Sequence, residues 1–329
     1  MSHKIGMDLG KGHIKYQTAT GTGEIPAWLS RGRITQVMGK GNGTGGIRYQ
    51  DQEYIIGRDA ILGNGFSWSA TETKDDLRNL LFALYVLGSA GIDEVDMVIG
   101  LPVSAAGSPA AVERIKSLLN GTHECVIGEK PTSIIIRVGV LAEPLGTYFS
   151  LCLDVEGKPI TSSPYFNELI GIVDIGYRTL DIIAIEGGKL SSAGKDSTLS
   201  GIAVLFSRVC KALEENHGML RPHEIEKVHT WLTGGCQELI KIGGLPVRPD
   251  IPAEVARFKA EFAGQIMDEV QSLLSGIRPD RIVMTGGGAA LLRNELIKIN
   301  PDLTFHPNPR FANAIGFYRA AVARGRQNA

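Results

Sequence analysis

What most restricts the fold of this chain is a pattern that occurs twice. A short apolar strand, about Lys4 to Leu9, delivers Asp8 to a tight turn at Gly10–Gly12, and a second strand returns over about Ile14 to Thr20. About half the chain later, the apolar run Leu169–Asp174 ends in Asp174-Ile175-Gly176 and returns through Leu180–Ile185. Short apolar runs separated by a glycine turn read as β-hairpins. Two such hairpins, each followed by helical periodicity, predict two similar α/β halves facing each other across a cleft. The 329 residues are enough for two domains of ordinary size.

The rest of the chain fits between these hairpins. Residues 21–70 are rich in Gly, Thr, Ser and Asn and read as small strands and loops of a peripheral subdomain. Leu77, Leu80, Leu81, Leu84 and Leu87 share one stripe, which predicts a helix from Glu72 to Leu87. Met97–Ile99 is a buried strand ending in Gly100-Leu101-Pro102, and Ser108-Pro109 opens another helix with Ser as N-cap and Pro in the first turn. Ser133–Gly139 reads as a strand and Val140–Phe149 as a helix. In the second half, helices are expected at about 200–216 and 253–275, and a buried strand at Arg281–Met284 runs into three glycines. A last helix is expected from about Asn313 to Arg324. Turn formers cluster at Asp154, Gly157, Lys158, Pro159 and Ser162–Pro164, which places the domain boundary near residues 150–165.

Composition excludes several classes of function. A net charge of −1 argues against a large electrostatic footprint for nucleic acid. Cys125, Cys152, Cys210 and Cys236 form no C-x-x-C pair and have no histidine cluster beside them, so they read as reduced, packed thiols of a cytosolic protein. The start, MSHKIGMDLG, lacks the apolar core of a signal peptide, and no run reaches the roughly 18 residues expected of a membrane span. A cytoplasmic location without a membrane is the expectation.

Three constellations carry chemistry. In Asp8-Leu9-Gly10-Lys11-Gly12-His13-Ile14-Lys15, a strand brings a carboxylate to a turn whose glycines let backbone N–H groups approach an anion. Lys15 on the return strand can reach a phosphate as a point charge. Asp174-Ile175-Gly176-Tyr177-Arg178-Thr179-Leu180-Asp181 repeats the design, with Thr179 and Asp181 on one face of the outgoing strand. Either turn alone is equally an ordinary hairpin; their repetition favours a ligand. Two carboxylates repel a bare polyphosphate, so a divalent cation is implied between them, and Mg²⁺ with its oxygen ligands and retained waters suits the site. The third is Thr285-Gly286-Gly287-Gly288-Ala289, where three glycines leave no side chain between the backbone and a flat ligand.

These motifs, in this order, resemble those of the actin-like ATPase superfamily. Asp8–Lys15 is similar to its first phosphate loop, Asp174–Asp181 to its second and Thr285–Ala289 to its adenosine loop. Val98-Ile99-Gly100-Leu101-Pro102 and Val140-Leu141-Ala142-Glu143-Pro144 resemble its first connecting region, and Asn313-Ala314-Ile315-Gly316 its second. The phrase D-I-G-Y-R-T-L-D, the V-L-A-E-P element and the chain length look most like the ParM and StbA plasmid-segregation actins. The resemblance is weakest over residues 20–70 and 215–250. Lys11-Gly12 departs from the small hydroxyl residues found there in many relatives.

The resemblance implies an actin-like (ribonuclease H-like) α/β fold. Residues 1–157 would form domain I, with a peripheral subdomain at about 20–85 and the C-terminal helix, 313–329, packed back on it. Residues 158–312 would form domain II. It implies ATP and Mg²⁺ as cofactors, with Asp8 and Asp174 holding the hydrated ion and Glu143 orienting the attacking water. Gly10, Lys11, Gly12 and Lys15, with Gly176, Tyr177, Arg178, Thr179 and Asp181, would surround the phosphates. Gly286, Gly287 and Gly288 would line the adenosine pocket, and Lys211 is a candidate for the base or ribose. Glu143 has physical support of its own, since a carboxylate just before Pro144, where strand gives way to helix, can hold a water; a favourable charge at a helix N-terminus is the alternative.

The function so implied is an ATPase that assembles into nucleotide-dependent filaments for plasmid segregation. A DNA-binding adaptor at a centromere would carry the link to DNA, in place of direct nucleic-acid binding. A small-molecule kinase of the same superfamily and a non-polymerising ATP-binding scaffold are the alternatives. Elsewhere the chain reads plainly. His13, His123, His217, His223, His229 and His306 are expected at the surface or in loops. Trp28, Trp68 and Trp231 are too scattered to stack bases. Phe258, Phe262, Ile266, Val270 and Leu273 form a core stripe, and the arginines of Arg319–Arg326 suit a solvated helix end.

Overall fold

The computed structural model describes residues 2–32, 46–62, 66–67, 76–236 and 240–327. Trp68 and the expected helix start at Glu72 lie outside these residues. The chain divides into two compact units, Met1–Ser163 with Phe311–Ala329, and Pro164–Arg310.

The first unit holds β1 (His3–Leu9), β2 (His13–Thr18), β3 (Gly21–Pro26), β4 (Trp28–Arg31), β5 (Gly46–Tyr49), β6 (Gln52–Ile56), α1 (Arg58–Leu62), β7 (Phe66–Ser67), α2 (Leu77–Ser89), β8 (Glu94–Leu101), α3 (Val103–Ala106), α4 (Pro109–Leu119), β9 (Gly121–Ile127), β10 (Lys130–Ala142) and α5 (Glu143–Cys152). The C-terminal helix, Ala312–Gln327, also belongs to it. Its strands form one sheet in the order β3-β2-β1-β8-β10-β9-β5-β6-β4-β7. The period of two sorts each central strand. Ile5, Met7 and Leu9, with Met97, Ile99 and Val138, join the core that contains Leu80, Leu84 and Leu87 of α2 and Ile115 and Leu119 of α4. Gly6, Val98, Gly100 and Gly139 alternate with them and accept the C-terminal helix, whose Phe317, Ala320 and Ala321 pack on Val98.

That helix crosses α5 backbone to backbone. A Cβ at Gly316 would fall onto the Gly146 carbonyl oxygen, and one at Gly146 would lie 2.7 Å from the Asn313 Cα. Only glycine at both positions permits the crossing. Asn313 Oδ1 locks it by accepting hydrogen bonds from Thr147 N (3.2 Å) and Thr147 Oγ1 (2.8 Å). Arg319 donates to the carbonyls of Leu153 (2.6 Å) and Ser150 at the end of α5. This corrects the expectation of a solvated arginine: its guanidinium satisfies the orphan carbonyls of a neighbouring helix.

The second unit holds β11 (Leu169–Ile175), β12 (Leu180–Glu186), β13 (Lys189–Thr198), α6 (Ala203–His217), α7 (Pro222–Thr233), β14 (Lys241–Ile242), β15 (Leu245–Pro246), α8 (Ile251–Leu274), β16 (Arg281–Thr285), α9 (Gly286–Leu291), α10 (Arg293–Ile299) and β17 (Thr304–Phe305). Its five-stranded sheet has the order β13-β12-β11-β16-β17. Phe258, Phe262, Ile266 and Val270 of α8 lie in the core with Val173, Ile175, Leu180 and Ile182.

The two sheets share one design. In the first unit β1 pairs antiparallel with β2 and parallel with β8, and β8 pairs parallel with β10. In the second, β11 pairs antiparallel with β12 and parallel with β16, and β16 pairs parallel with β17. β3 and β13 extend the hairpins in the same sense. The repeat seen as two Asp-x-Gly turns is therefore a repeat of a five-strand order, which is the whole sheet of the second unit and half of the larger sheet of the first.

Three local expectations change. Val140–Ala142 remain strand, paired with Ile99–Leu101, and the helix begins at Glu143. Pro144 fits a first helical turn but would clash in the interior of a helix begun at Val140. The three glycines open helix α9 and do not form a loop. His123 lies buried on β9, its Nε2 3.0 Å from the Leu119 carbonyl oxygen, and His306 is buried with its Nδ1 accepting from Asn308 N (3.0 Å). His229 sits half-buried on α7. His306 keeps the loop placement expected of it but is buried there, whereas His123 and His229 lie on regular elements and away from the open surface.

Candidate functional site

In the first unit, Asp8 stands directly opposite Lys15 on β2, and Lys15 Nζ lies 3.8 Å from Asp8 Oδ2. Across the next ladder Lys15 faces Glu24. The Gly10–Gly12 turn between them is tied back by Ala27 N donating to the Gly12 carbonyl (3.0 Å). Lys11 is close enough to Asp76, the N-cap of α2, to act on its carboxyl; hydrogen bonds from Arg78 first, and the charge of Lys11 last, hold that group below the usual carboxylate range.

Asp8 follows Met7, whose partner on β8 is Ile99, and Gly100 follows Ile99. A Cβ at Gly100 would lie 2.8 Å from Glu143 Cγ, so the Glu143 side chain lies over that strand. Glu143 is the first residue of α5 and is only 9% exposed. The fold of the first unit thus brings Asp8, Lys15 and Glu143 to the same end of the sheet.

The second unit repeats the row. Asp181 on β12 stands opposite Asp174 on β11, and Asp174 stands beside Thr285 on β16. Paired residues share a face, so two carboxyls and a hydroxyl lie abreast, with Asp174 4% and Asp181 1% exposed. The turn that follows is closed by Gly176 N donating to the Thr179 carbonyl (2.9 Å). Behind it runs the segment leading into α6. Gly201 N donates to the Arg178 carbonyl (3.0 Å), Ile202 N to Gly176 (3.0 Å) and Ala203 N to Tyr177 (2.7 Å).

The Tyr177 side chain points into the unit's own core, with ring centroids 6.4 Å from Phe206 and 6.3 Å from His229. Burial, followed by the nearby Cys210 and Glu226, pushes its phenol up to about 12. Burial, followed by the charge of Arg310, pushes His229 down to about 4. The ring is thereby committed to packing within this unit. Lys211 lies exposed on α6.

The glycines at the start of α9 divide in role. A Cβ at Gly288 would lie 2.9 Å from the Cβ of Ile175, and one at Gly286 would lie 2.5 Å from the Ile175 carbonyl oxygen. Those two glycines let α9 press on the end of β11, beside Asp174. Gly287 has nothing within 4 Å of its Cβ position and is the one with space for a ligand. Gly286 N donates to the Pro309 carbonyl (2.9 Å), which fixes this start.

Several residues of this neighbourhood gave no functional signal in the sequence. Thr198 Oγ1 (2.8 Å) and Ser200 Oγ (2.6 Å) both donate to Glu269 on α8. The Ser/Thr cluster just before a helix was a usable cue for the first two. Nothing local marked Glu269.

Comparison with known proteins bears on the fold that carries these features. The model of the N-terminal domain of actin-like proteins matches residues 6–146, and that of the C-terminal domain of the archaeal, MreB-like actin homologue matches residues 172–298. The chain is similar to a ParM filament protein from Clostridium botulinum, at 19% identity and a TM-score of 0.77, over 97% of this chain and 99% of that one. It is also similar to the archaeal actin homologue Ta0583, at 19% identity and a TM-score of 0.78, over 99% and 100%. A second structure of Ta0583, in complex with ADP, gives 17% identity and a TM-score of 0.77 over 98% and 99%. At these identities the likeness is one of fold. No curated protein sequence matches the chain.

Proposed function

Since the chain belongs to the actin-like superfamily, we propose that it is an ATPase that assembles into nucleotide-dependent filaments, with plasmid segregation as its role. The observation that carries this reading is the duplicated sheet with Asp8 and Asp174 at corresponding strand ends, each followed by a glycine turn. The ADP complex of Ta0583 and the filament of the Clostridium botulinum ParM are properties of those proteins and support the reading by analogy. A DNA-binding adaptor is the partner proposed to join filament to plasmid, since the net charge of −1 offers little to DNA directly.

The donor set suits the ligand. Asp8 and Asp174 offer hard carboxylate oxygens, which fit Mg²⁺. The metal, when bound with ATP, would neutralise phosphate charge that these carboxylates otherwise repel. Lys15 would give up its contact with Asp8 to a phosphate oxygen, and the turn amides after Gly10 and Gly176 would orient the phosphate chain. Glu143 would hold a water by accepting its hydrogen bond, the positioning that phosphate hydrolysis chiefly requires. Gly287 would meet the adenosine, and exposed Lys211 could reach its ribose or base.

Two substitutions test these roles. Asp174→Ala should weaken MgATP binding by tenfold or more, on the order of a lost charge-assisted contact. Glu143→Ala should keep MgATP binding and slow turnover at least about a hundredfold. Unchanged binding in the first variant, or unchanged phosphate release in the second, removes that residue from the site.

A further inference from the structure

The second turn has its carbonyls tied down, and this decides where its amides point. All peptide bonds described are trans, and a trans peptide holds its C=O and the following N–H on opposite sides. The carbonyls of Gly176, Tyr177 and Arg178 are drawn toward Ile202, Ala203 and Gly201 respectively. The N–H groups of Tyr177, Arg178 and Thr179 are thereby turned the other way. Successive amides facing one side form a concavity that receives anions.

This arrangement requires the 201–203 segment to stay in place, and the residues just before it are tied to one carboxylate. Thr198 is the last residue of β13 and pairs with Leu180, the first of β12. Thr198 and Ser200 bracket exposed Leu199, and their two hydroxyls go to the two oxygens of Glu269. Hydrogen bonds to an ionised carboxylate are about twice as strong as neutral ones. Glu269 in turn sits on α8, whose apolar stripe is buried in the core of the unit. Gly201 then backs directly onto the turn, where a Cβ would lie 2.6 Å from the Arg178 Cα.

We infer that Glu269 is a positioning residue for phosphate binding: through Thr198 and Ser200 it fixes residues 201–203, which hold the amides of Tyr177, Arg178 and Thr179 toward a polyphosphate. It touches no ligand itself. The inference rests on the proposed nucleotide site and adds to it a support from α8.

The test titrates MgATP, and adenosine as a phosphate-free probe, into the full chain and its variants, with melting midpoints read in the absence of nucleotide. Glu269→Ala, and separately the double variant Thr198→Val with Ser200→Ala, should raise the Kd for MgATP about tenfold. Both should leave the Kd for adenosine within about twofold and the midpoint without nucleotide within a few degrees. Glu269→Gln still offers the two hydroxyls a polar partner each, and should stay within about threefold of the wild type. Unchanged MgATP affinity in both disrupting variants overturns the inference, as does an equal loss for MgATP and adenosine. The double variant decides the matter if Glu269→Ala fails to fold. A wild-type chain that binds no MgATP refutes the nucleotide site itself, and is distinguished from failure of the clamp by that result alone.

Discussion

Gly316→Ala should destabilise the first unit although it replaces glycine by the best helix former. The new Cβ would lie 2.5 Å from the Gly146 carbonyl carbon and 2.8 Å from the Ser150 nitrogen. Carbon atoms in contact prefer about 3.5–4.0 Å, so α5 and the C-terminal helix would have to part by on the order of 1 Å. Neither obstacle is a side chain, so no rotamer can yield. Overpacking of this kind costs about 1–3 kcal/mol, and backbone against backbone belongs at the upper end. Against this stands a helix-propensity gain of about 1 kcal/mol. The net loss is then about 2 kcal/mol, or roughly 4–8 °C in the midpoint of a unit of this size. Gly264→Ala is the internal control, since Gly264 lies within α8 with nothing near its Cβ position. It should stabilise by about 0.5–1 kcal/mol. Urea and thermal unfolding of the two variants give the sign of each. A Gly316→Ala protein as stable as the wild type, or a destabilised Gly264→Ala protein, would refute this packing argument.

Other expectations follow from the same contacts. Arg319→Met keeps much of the apolar stem but removes the donors to Leu153 and Ser150, and should cost about 1–3 kcal/mol in urea unfolding. His229 titrates at about 4 in the folded chain against an ordinary value near 6.5, so the unfolded chain takes up its proton first. Its contribution to stability is present above about pH 6.5 and is lost as pH falls toward 4. His229→Phe should flatten that part of a stability profile against pH. Asp96 gives the acidic end. Burial pushes its carboxyl up, but hydrogen bonds from Lys4, Ser2 and Arg137 outweigh this and hold it at about 2. The stability it provides should be complete above about pH 4 and disappear as pH falls through 2, and Asp96→Asn should abolish that dependence.

The sequence made the repeat legible because its cause is local. A strand, a glycine turn and a return strand lie within about fifteen residues, and alternation alone places Asp8, Lys15, Asp174 and Asp181. The helix stripe of α8 was readable for the same reason. The strand–helix switch at Glu143 is not legible locally, because Val140–Ala142 are held as strand by pairing with β8, a partner far away in sequence. The buried settings of His123 and His306 come from neighbours supplied by the fold, which residue type does not announce. The triple glycine marks a place of close approach without telling which side is close. Gly286 and Gly288 press on Ile175, and Gly287 alone keeps open space. Glu269 had no local signature, since its hydroxyl partners lie 69 and 71 residues away.

The central proposal is that nucleotide governs assembly of this chain, and sedimentation with electron microscopy tests it most directly. The purified chain would be spun with MgATP, with ADP and without nucleotide, and each sample imaged. MgATP should send the protein into the pellet as filaments, and the pellet should shrink as ATP is consumed. A chain that stays monomeric with every nucleotide, or that pellets equally without one, contradicts the account.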